Sequence, residues 1–525
     1  MRLKPLLGLF AGLIAASPAL APSDSLAQQR GGYDQVRPPQ GGGGGGHFGG
    51  GFGGGFGFTF VPPPMIYAPP PPPVYYEPAP EMRPYRPQRA RPARRVSSNP
   101  KPAVRQVRTT PRATPRATSR PGPRQAARAP VRGPTRISGM PPAGESRFVA
   151  DEVVVRYRPG TAETSIRDIA GWVRLEELAR RDFALVDTSV YRYRVGGGRS
   201  VREAIAALEV DPRVAFVQPN YLYALQDMEL AGLPRTRPAH DQSAMQYALD
   251  KLRLRTAHES VRGSQVRVAI IDSAIETEHP ELDGAVTESL DALEEEGRGA
   301  ADAHGTGIAG IIAARGSLEG AAPESEIVAV TAFRKDAGGN TVGSTFDIAK
   351  GFDFAREKDA RIVNMSFAGP ADPLLSDVVE AALDKGMILV AAAGNAGEKS
   401  PPLYPAAYEG VIAVTATGAD DSAFGLANAG DYVTLAAPGV DILAPAPGGS
   451  YQVSSGTSMS AAYVSGLLAL MLERRPDLSA SEAVTILEEA SLDLGAPGRD
   501  PRFGAGLPEA DKALAAMPQL VATGR

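Results

Sequence analysis

The first candidate for chemistry in this 525-residue chain is a serine hydroxyl at the start of an apolar segment. Residues 454–466 read S-S-G-T-S-M-S-A-A-Y-V-S-G and run into an apolar stretch, 464–472, with the composition of a buried helix. Ser458 then falls near a helix start, where unpaired N–H groups and the positive end of the helix dipole gather. A hydroxyl there can attack a carbonyl and have the developing negative charge met by fixed donors. Ser and Thr are also ordinary helix caps, so the run alone leaves both readings open. A serine nucleophile needs a base within hydrogen-bond reach. Of the five histidines, His47 lies in a glycine tract, His240 in a linker, and His258 and His279 in turn-like or helix-surface contexts. His304 stands just before Gly-Thr-Gly and an apolar helical pattern that would fix its ring. Asp272 ends the buried-strand pattern 266–272, where a carboxylate is costly unless paired. Asp283 and Asp302 are nearer to His304 in sequence, but neither ends an apolar strand. Asn395 follows Gly394 after an alanine-rich strand; an Asn there also suits a left-handed turn.

The elements that must position these residues follow from hydrophobic patterning. Strands are expected at 266–271, 327–331, 362–366, 387–392, 411–415 and 432–435, and helices at 304–314, 344–357, 376–385, 457–473, 480–489 and 507–515. Near-continuous apolar strands alternating with helices predict an α/β architecture, a mainly parallel doubly wound sheet with helices on both faces. Ligands bind such sheets at the carboxyl ends of the strands, and Asp272, Ser366 and Asn395 each sit at or just past such an end.

The order Asp272, His304, Ser458, with the motifs D-S-A, H-G-T-G, A-A-A-G-N and G-T-S-M-S, resembles the subtilisin-like serine proteases over 246–515. The resemblance implies a serine endopeptidase working through an acyl-enzyme. Ser458 would be the nucleophile, His304 the general base and then acid, and Asp272 its orienting carboxylate. The Asn395 amide and the Ser458 N–H would hold the oxyanion. It implies further that Ser366-Phe367-Ala368-Gly369 pairs with the substrate backbone, that Gly394 helps wall the first pocket, and that 340–343 forms the opposite edge. Small and apolar walls lead to an expected preference for an apolar residue before the cut. The chain departs from the family pattern at Ala274, Gly307, Ser460, Ala462 and Tyr463, positions that shape backbone and pocket. No cofactor is expected. A structural calcium is left open but no site for it can be assigned, since the acidic run 291–296 lacks ordered oxygen ligands and reads as a solvated loop.

The rest of the chain divides by composition. Residues 1–27 read as a secretory signal with a positive start, a short apolar core and a small-x-small end. Residues 28–145 are rich in Gly, Pro and Arg and are expected to be disordered. Residues 83–136 carry sixteen basic and no acidic side chains, whereas 137–525 carry a net charge of −20, so the near-neutral whole joins a basic arm to an acidic body. The arm suits anionic envelope components, or is a spacer; an export signal argues against nucleic acid. There is no cysteine, which excludes disulfides and thiolate chemistry. Residues 146–225 predict a small α+β, ferredoxin-like unit, with strands at 151–157, 190–195 and 214–217 and helices at 176–181 and 201–208. This unit is similar to the propeptide of the same family, which implies a folding chaperone and inhibitor. Residues 226–243 would be the processing linker and 244–520 the peptidase domain. Expected partners are peptide or protein substrates and the chain's own propeptide, and the expected location is secreted, periplasmic or in the cell envelope. The rival reading is a non-catalytic envelope protein carrying a decayed protease domain.

Overall fold

The apolar runs of the larger domain alternate between two buried surfaces. In the computed structural model of the chain, residues 138–225, 228–229, 246–293 and 300–517 are described. The segment read as a signal, the basic arm, most of the stretch read as a linker and the heart of the acidic loop lie outside them, as do His47 and His240.

The smaller unit consists of β1 (Phe148–Tyr157), α1 (Glu163–Val173), β2 (Leu175–Phe183), β3 (Thr188–Val195), α2 (Val201–Glu209) and β4 (Val214–Leu225). Its strands form an antiparallel sheet ordered β2-β3-β1-β4. Ile166, Ile169, Val173, Ile205 and Leu208 of the two helices pack on Val153, Val155, Tyr193 and Val217 of the sheet. Ser200 caps α2 with a reciprocal bond to Glu203. The ferredoxin-like expectation holds in outline, but 176–181 is strand, not helix. Its Leu, Glu, Ala and Arg favour helix by only fractions of a kcal/mol each. Pairing with β3 along Leu175–Phe183 overrides that preference. The helix is instead α1, whose Ile166, Ile169 and Val173 repeat at helical spacing and whose end is set by Arg174 in the left-handed region.

The larger domain begins with β5 (Met228–Glu229), α3 (Tyr247–Lys251) and α4 (Leu254–Ala257). Seven strands then build a parallel sheet: β6 (Arg267–Asp272), β7 (Val286–Asp291), β8 (Glu326–Thr331), β11 (Ile362–Met365), β13 (Ile388–Ala392), β14 (Ile412–Thr417) and β15 (Leu435–Pro438). Their order is β15-β14-β13-β11-β6-β8-β7. Outside this sheet lie β9 (Arg334–Lys335), β10 (Thr341–Ser344), β12 (Phe367–Ala368), β16 (Ile442–Ala446) and β17 (Ser450–Ser455). Alternate residues face opposite ways, as a strand period of two demands. Val268, Ile270, Ile362, Val390 and Val414 meet α5 (Ala303–Ala313) and α8 (Thr457–Arg474). Ala269, Ile271, Val363, Leu389 and Ala413 meet α6 (Thr345–Glu357) and α7 (Pro373–Asp384). α8 is buried from Thr457 to Leu472, which explains its apolar composition on every side. α9 (Ala480–Glu489) and α10 (Ala510–Ala516) complete the chain.

Of the boundaries that differ from expectation, two near the end of the chain have a local cause. The last strand starts at Leu435 and not Tyr432, because Val433 is in a turn closed on Gly430. The last helix starts at Ala510, because Leu507–Pro508 is a short strand paired with Ser491–Leu492.

Candidate active site

β6 delivers its last residue, Asp272, into the interior with no solvent exposure. Its Oδ1 accepts from His304 Nδ1 at 2.7 Å, from the Ser273 N–H at 2.7 Å and from the Ser273 hydroxyl at 3.0 Å. Burial pushes the carboxyl above its ordinary value, against the pull of His304 and Ser273. His304 lies in the first turn of α5, whose cap is Asp302: its Oδ1 accepts the His304 N–H at 3.0 Å. Asp302 is therefore the helix cap, and Asp283 is exposed on a turn, so neither competes for the ring. Gly305 follows His304 for a steric reason, since a Cβ there would lie 2.4 Å from the Ser273 carbonyl oxygen. With Nδ1–H committed to Asp272, the basic position of the ring is Nε2.

Ser458 occupies the first turn of α8, after Gly456 in extended backbone. Its hydroxyl donates to the Ser366 carbonyl at 3.2 Å, and the Ser366 hydroxyl donates back to the Ser458 carbonyl at 3.2 Å. Behind them, Asn364 Nδ2 donates to Ser366 Oγ at 2.9 Å and Ser465 Oγ donates to Asn364 Oδ1 at 3.0 Å. This polar ladder ties the end of β11 to the first turns of α8, and every rung is buried. Sequence reading missed Asn364, Ser465 and Ser273. The signal for Asn364 was there, a lone amide inside an apolar strand.

Asn395 is oriented by its neighbour on α8. Its Oδ1 accepts from the Thr457 N–H at 3.2 Å and the Thr457 hydroxyl at 3.0 Å. The amide nitrogen is thereby turned away from Thr457. Gly394 N–H donates to Thr457 Oγ1 at 3.2 Å. Gly394 has φ +113°, and a Cβ would press on Leu403 at 2.8 Å, so only glycine fits.

The expected substrate edges are both present and both paired with the smaller domain. β4 runs between β10 and β12, antiparallel to each. Leu222, Tyr223 and Ala224 face Ser344, Gly343 and Val342; Ala224 and Leu225 face Ala368 and Phe367. Farther on, β5 pairs with β17, Met228 opposite Ser455 and Glu229 opposite Ser454. Phe367 turns its ring to Tyr223 and Phe333, at centroid distances of 5.7 and 4.9 Å. Its side chain thus walls the pocket of Tyr223. Gly369 lies against the same ring, where a Cβ would be 2.4 Å from Tyr223 Cδ1.

The amide side chains of the Gln218-Pro219-Asn220-Tyr221 segment add acceptors at the starts of two helices of the larger domain. Gln218 Oε1 accepts the Leu374 N–H at the start of α7, at 2.9 Å. Asn220 Oδ1 accepts the Phe346 N–H at the start of α6, at 3.2 Å. Both are fully buried. The other described histidines serve packing: His258 Nδ1 lies 3.0 Å from Glu319, and His279 Nε2 lies 3.1 Å from the Ser450 carbonyl. Among the described residues no cluster of three or more His, Asp or Glu could hold a metal ion. Nor is any helix among them long and apolar enough to cross a membrane.

Comparison with known proteins agrees with this arrangement in two separate segments. Residues 263–506 match the subtilase family (Peptidase_S8), and residues 135–220 match the fervidolysin N-terminal prodomain. The chain is 31% identical to subtilisin E of Bacillus subtilis over 302 residues, covering 56% of this chain and 74% of that one. It is 30% identical to the minor extracellular protease Epr of the same organism over 335 residues, 61% of this chain but only half of Epr. The crystal structure of fervidolysin from Fervidobacterium pennivorans, a keratinolytic enzyme related to subtilisin, superposes with a TM-score of 0.61 at 25% identity. The match covers 71% of this chain and 62% of that one. With Asp272 against His304, Ser458 at the head of α8, and a prodomain strand between the two edges of the groove, the chain belongs to the subtilase family, a serine endopeptidase carrying its own prodomain.

Proposed function

We propose that the chain is an exported zymogen that cuts its own linker and then hydrolyses proteins through Asp272, His304 and Ser458. The observation that carries the reading is the 2.7 Å contact of His304 Nδ1 with a fully buried Asp272. Asp272 fixes the tautomer and stabilises the imidazolium, leaving Nε2 to accept the Ser458 proton. Ser458 Oγ adds to the substrate carbonyl carbon, and the oxyanion is met by the Ser458 N–H and the Asn395 amide. Collapse of this adduct breaks the C–N bond, and the proton held on His304 passes to the leaving amine. Water, deprotonated by His304, then releases the acyl group and regenerates the hydroxyl.

Strand register supports self-processing at a particular bond. One residue beyond Leu225 opposite Phe367 the count reaches Ser366, whose carbonyl accepts the Ser458 hydroxyl. One residue before Met228 opposite Ser455 it reaches Gly456, two residues from Ser458. Counted along the sequence from these described pairs, the cut falls between Gln226 and Asp227, which lie outside the described residues; a Gln before the cut departs from the apolar preference expected from the pocket walls. The prodomain then remains as a product-like inhibitor held by its backbone pairing. Export rests on the leader-like composition of 1–27, and the basic arm would contact anionic envelope components after export.

The test is a fluorophosphonate probe with N-terminal sequencing of the processed protein. Wild type is expected to label at Ser458 and to begin at Asp227 or farther on, while Ser458→Ala neither labels nor processes. An unlabelled wild type freed of residues 1–243 ends the peptidase reading.

A further inference from the structure

The pocket that holds Tyr223 has apolar walls and a polar floor. Phe367 and the bare backbone of Gly369 lie against the ring, with Phe333 packed on Phe367, and the tyrosine is 1% exposed. At its end the hydroxyl finds two acceptors, the Pro370 carbonyl at 3.2 Å and Asp372 Oδ2 at 3.3 Å. Asp372 belongs to the peptidase domain and is itself buried. Its Oδ1 caps α7 by accepting the Leu374 and Leu375 N–H groups, and it also takes a bond from Gln218 Nε2 at 2.7 Å. Its Oδ2 accepts from the Thr345 hydroxyl as well as from Tyr223. The Tyr408 hydroxyl clamps its backbone, donating to the Asp372 carbonyl at 2.8 Å.

We propose that Asp372 is a specificity-determining residue that makes this pocket select tyrosine at the fourth position before the bond to be cut. The assignment rests on the register above, in which Tyr223 stands fourth on the amino side of Gln226–Asp227. Once the prodomain leaves, a substrate strand takes the place of β4 and presents its own side chain here. An apolar pocket by itself discriminates weakly between phenyl and hydroxyphenyl groups. A pocket with fixed acceptors favours the group that carries the hydroxyl, because otherwise the acceptors stay dry and short of a donor. Asp372 is not set up to receive a cation. After Gln218 leaves with the prodomain, Oδ1 keeps two backbone N–H groups and Oδ2 the Thr345 hydroxyl, which leaves Oδ2 room for one neutral hydroxyl, whereas a lysine or arginine would have to shed its water to reach it.

The experiment uses the processed protein and four chromogenic peptides, Tyr-Ala-Leu-Gln with its Phe, Leu and Ala counterparts at the first residue. Fluorophosphonate labelling is measured alongside. The expected kcat/KM order is Tyr, then Phe about tenfold lower, then Leu and Ala, from one hydrogen bond to a charged acceptor. In Asp372→Asn the ratio of Tyr to Phe falls toward one while the ratio of Phe to Ala is kept. Should Asp372→Asn yield no processed protein, the wild-type ratio decides alone. Equal rates for Tyr and Phe in wild type, or a ratio that survives in Asp372→Asn, overturn the proposal. Labelling at Ser458 without cleavage of any of the four also overturns it, through the register. Absence of labelling is the distinct failure of the peptidase reading itself.

Discussion

The catalytic corner and the substrate groove are built on different terms. The corner is made wholly within the peptidase domain, by the end of β6, the first turn of α5 and the first turn of α8. Its side chains are oriented by neighbours close in space: Ser273 on Asp272, Asp302 on the start of α5, Thr457 on Asn395. The groove borrows its completeness. One wall is β10, the other β12, and the strand that pairs with both belongs to the prodomain. Gln218 and Asn220 of that domain also add acceptors at the starts of α7 and α6, beside the caps Asp372 and Ser344 of the peptidase domain itself. The difference teaches that machinery for bond making can be preformed, while recognition surfaces stay paired until a competitor arrives. It also separates two kinds of mutational effect, one on rate and one on release.

The sharpest break in the comparison is Asp272→Asn. It keeps the shape of the corner but removes the negative charge, and kcat is expected to fall by about 10⁴ with little change in prodomain affinity. Rates on a peptide and inhibition by added prodomain check the two halves. Next comes Asn395→Ala, which leaves one of the two proposed oxyanion donors. The expected loss is about 10²–10³ in kcat with KM nearly unchanged, as is typical for a single such donor. Equal changes in KM would move Asn395 out of the corner and into the groove.

On the groove side, Gln218→Ala with Asn220→Ala removes both acceptors that the prodomain adds at the helix starts. Loss of one such hydrogen bond costs about 1 kcal/mol, so the pair should weaken prodomain inhibition by roughly 30-fold while the processed enzyme keeps its kcat. Titration of the processed enzyme with wild-type and doubly substituted prodomain reads this directly. The smallest effect is one of pH. Burial raises the Asp372 carboxyl above its ordinary 3.8, despite the bonds from Thr345 and Gln218. For an acid raised in the folded state, the proton is held more tightly folded than unfolded. Its contribution to stability is therefore full below the ordinary value and lost as pH rises through the raised one. Asp372→Asn, which cannot ionise, should gain in melting temperature relative to wild type as pH rises from about 3 to neutrality. A difference that stays flat across that range would show that the carboxyl is not strained by burial.

Much of the corner was legible because its signals are local. Asp272 ends an apolar strand, His304 precedes a Gly-Thr-Gly run and an apolar helix, and Ser458 opens an apolar helix. The error at 176–181 came from the same source: helix-forming composition is local, and pairing with β3 is not. Asn364, Thr457 and Ser273 were passed over because small polar residues are common, and their roles exist only across elements.

By itself the sequence determined the alternation of strand and helix, the order of the three reactive groups, and the separation of a propeptide-like unit from the larger domain. Those follow from periodicity and motif, properties of neighbours along the chain. Only the tertiary structure decided that β4 lies between β10 and β12, that Tyr223 meets Asp372, and that Gln218 and Asn220 bond the starts of helices more than a hundred residues away. Such contacts depend on which buried polar groups find each other once water is excluded, and no spacing along the chain encodes that pairing.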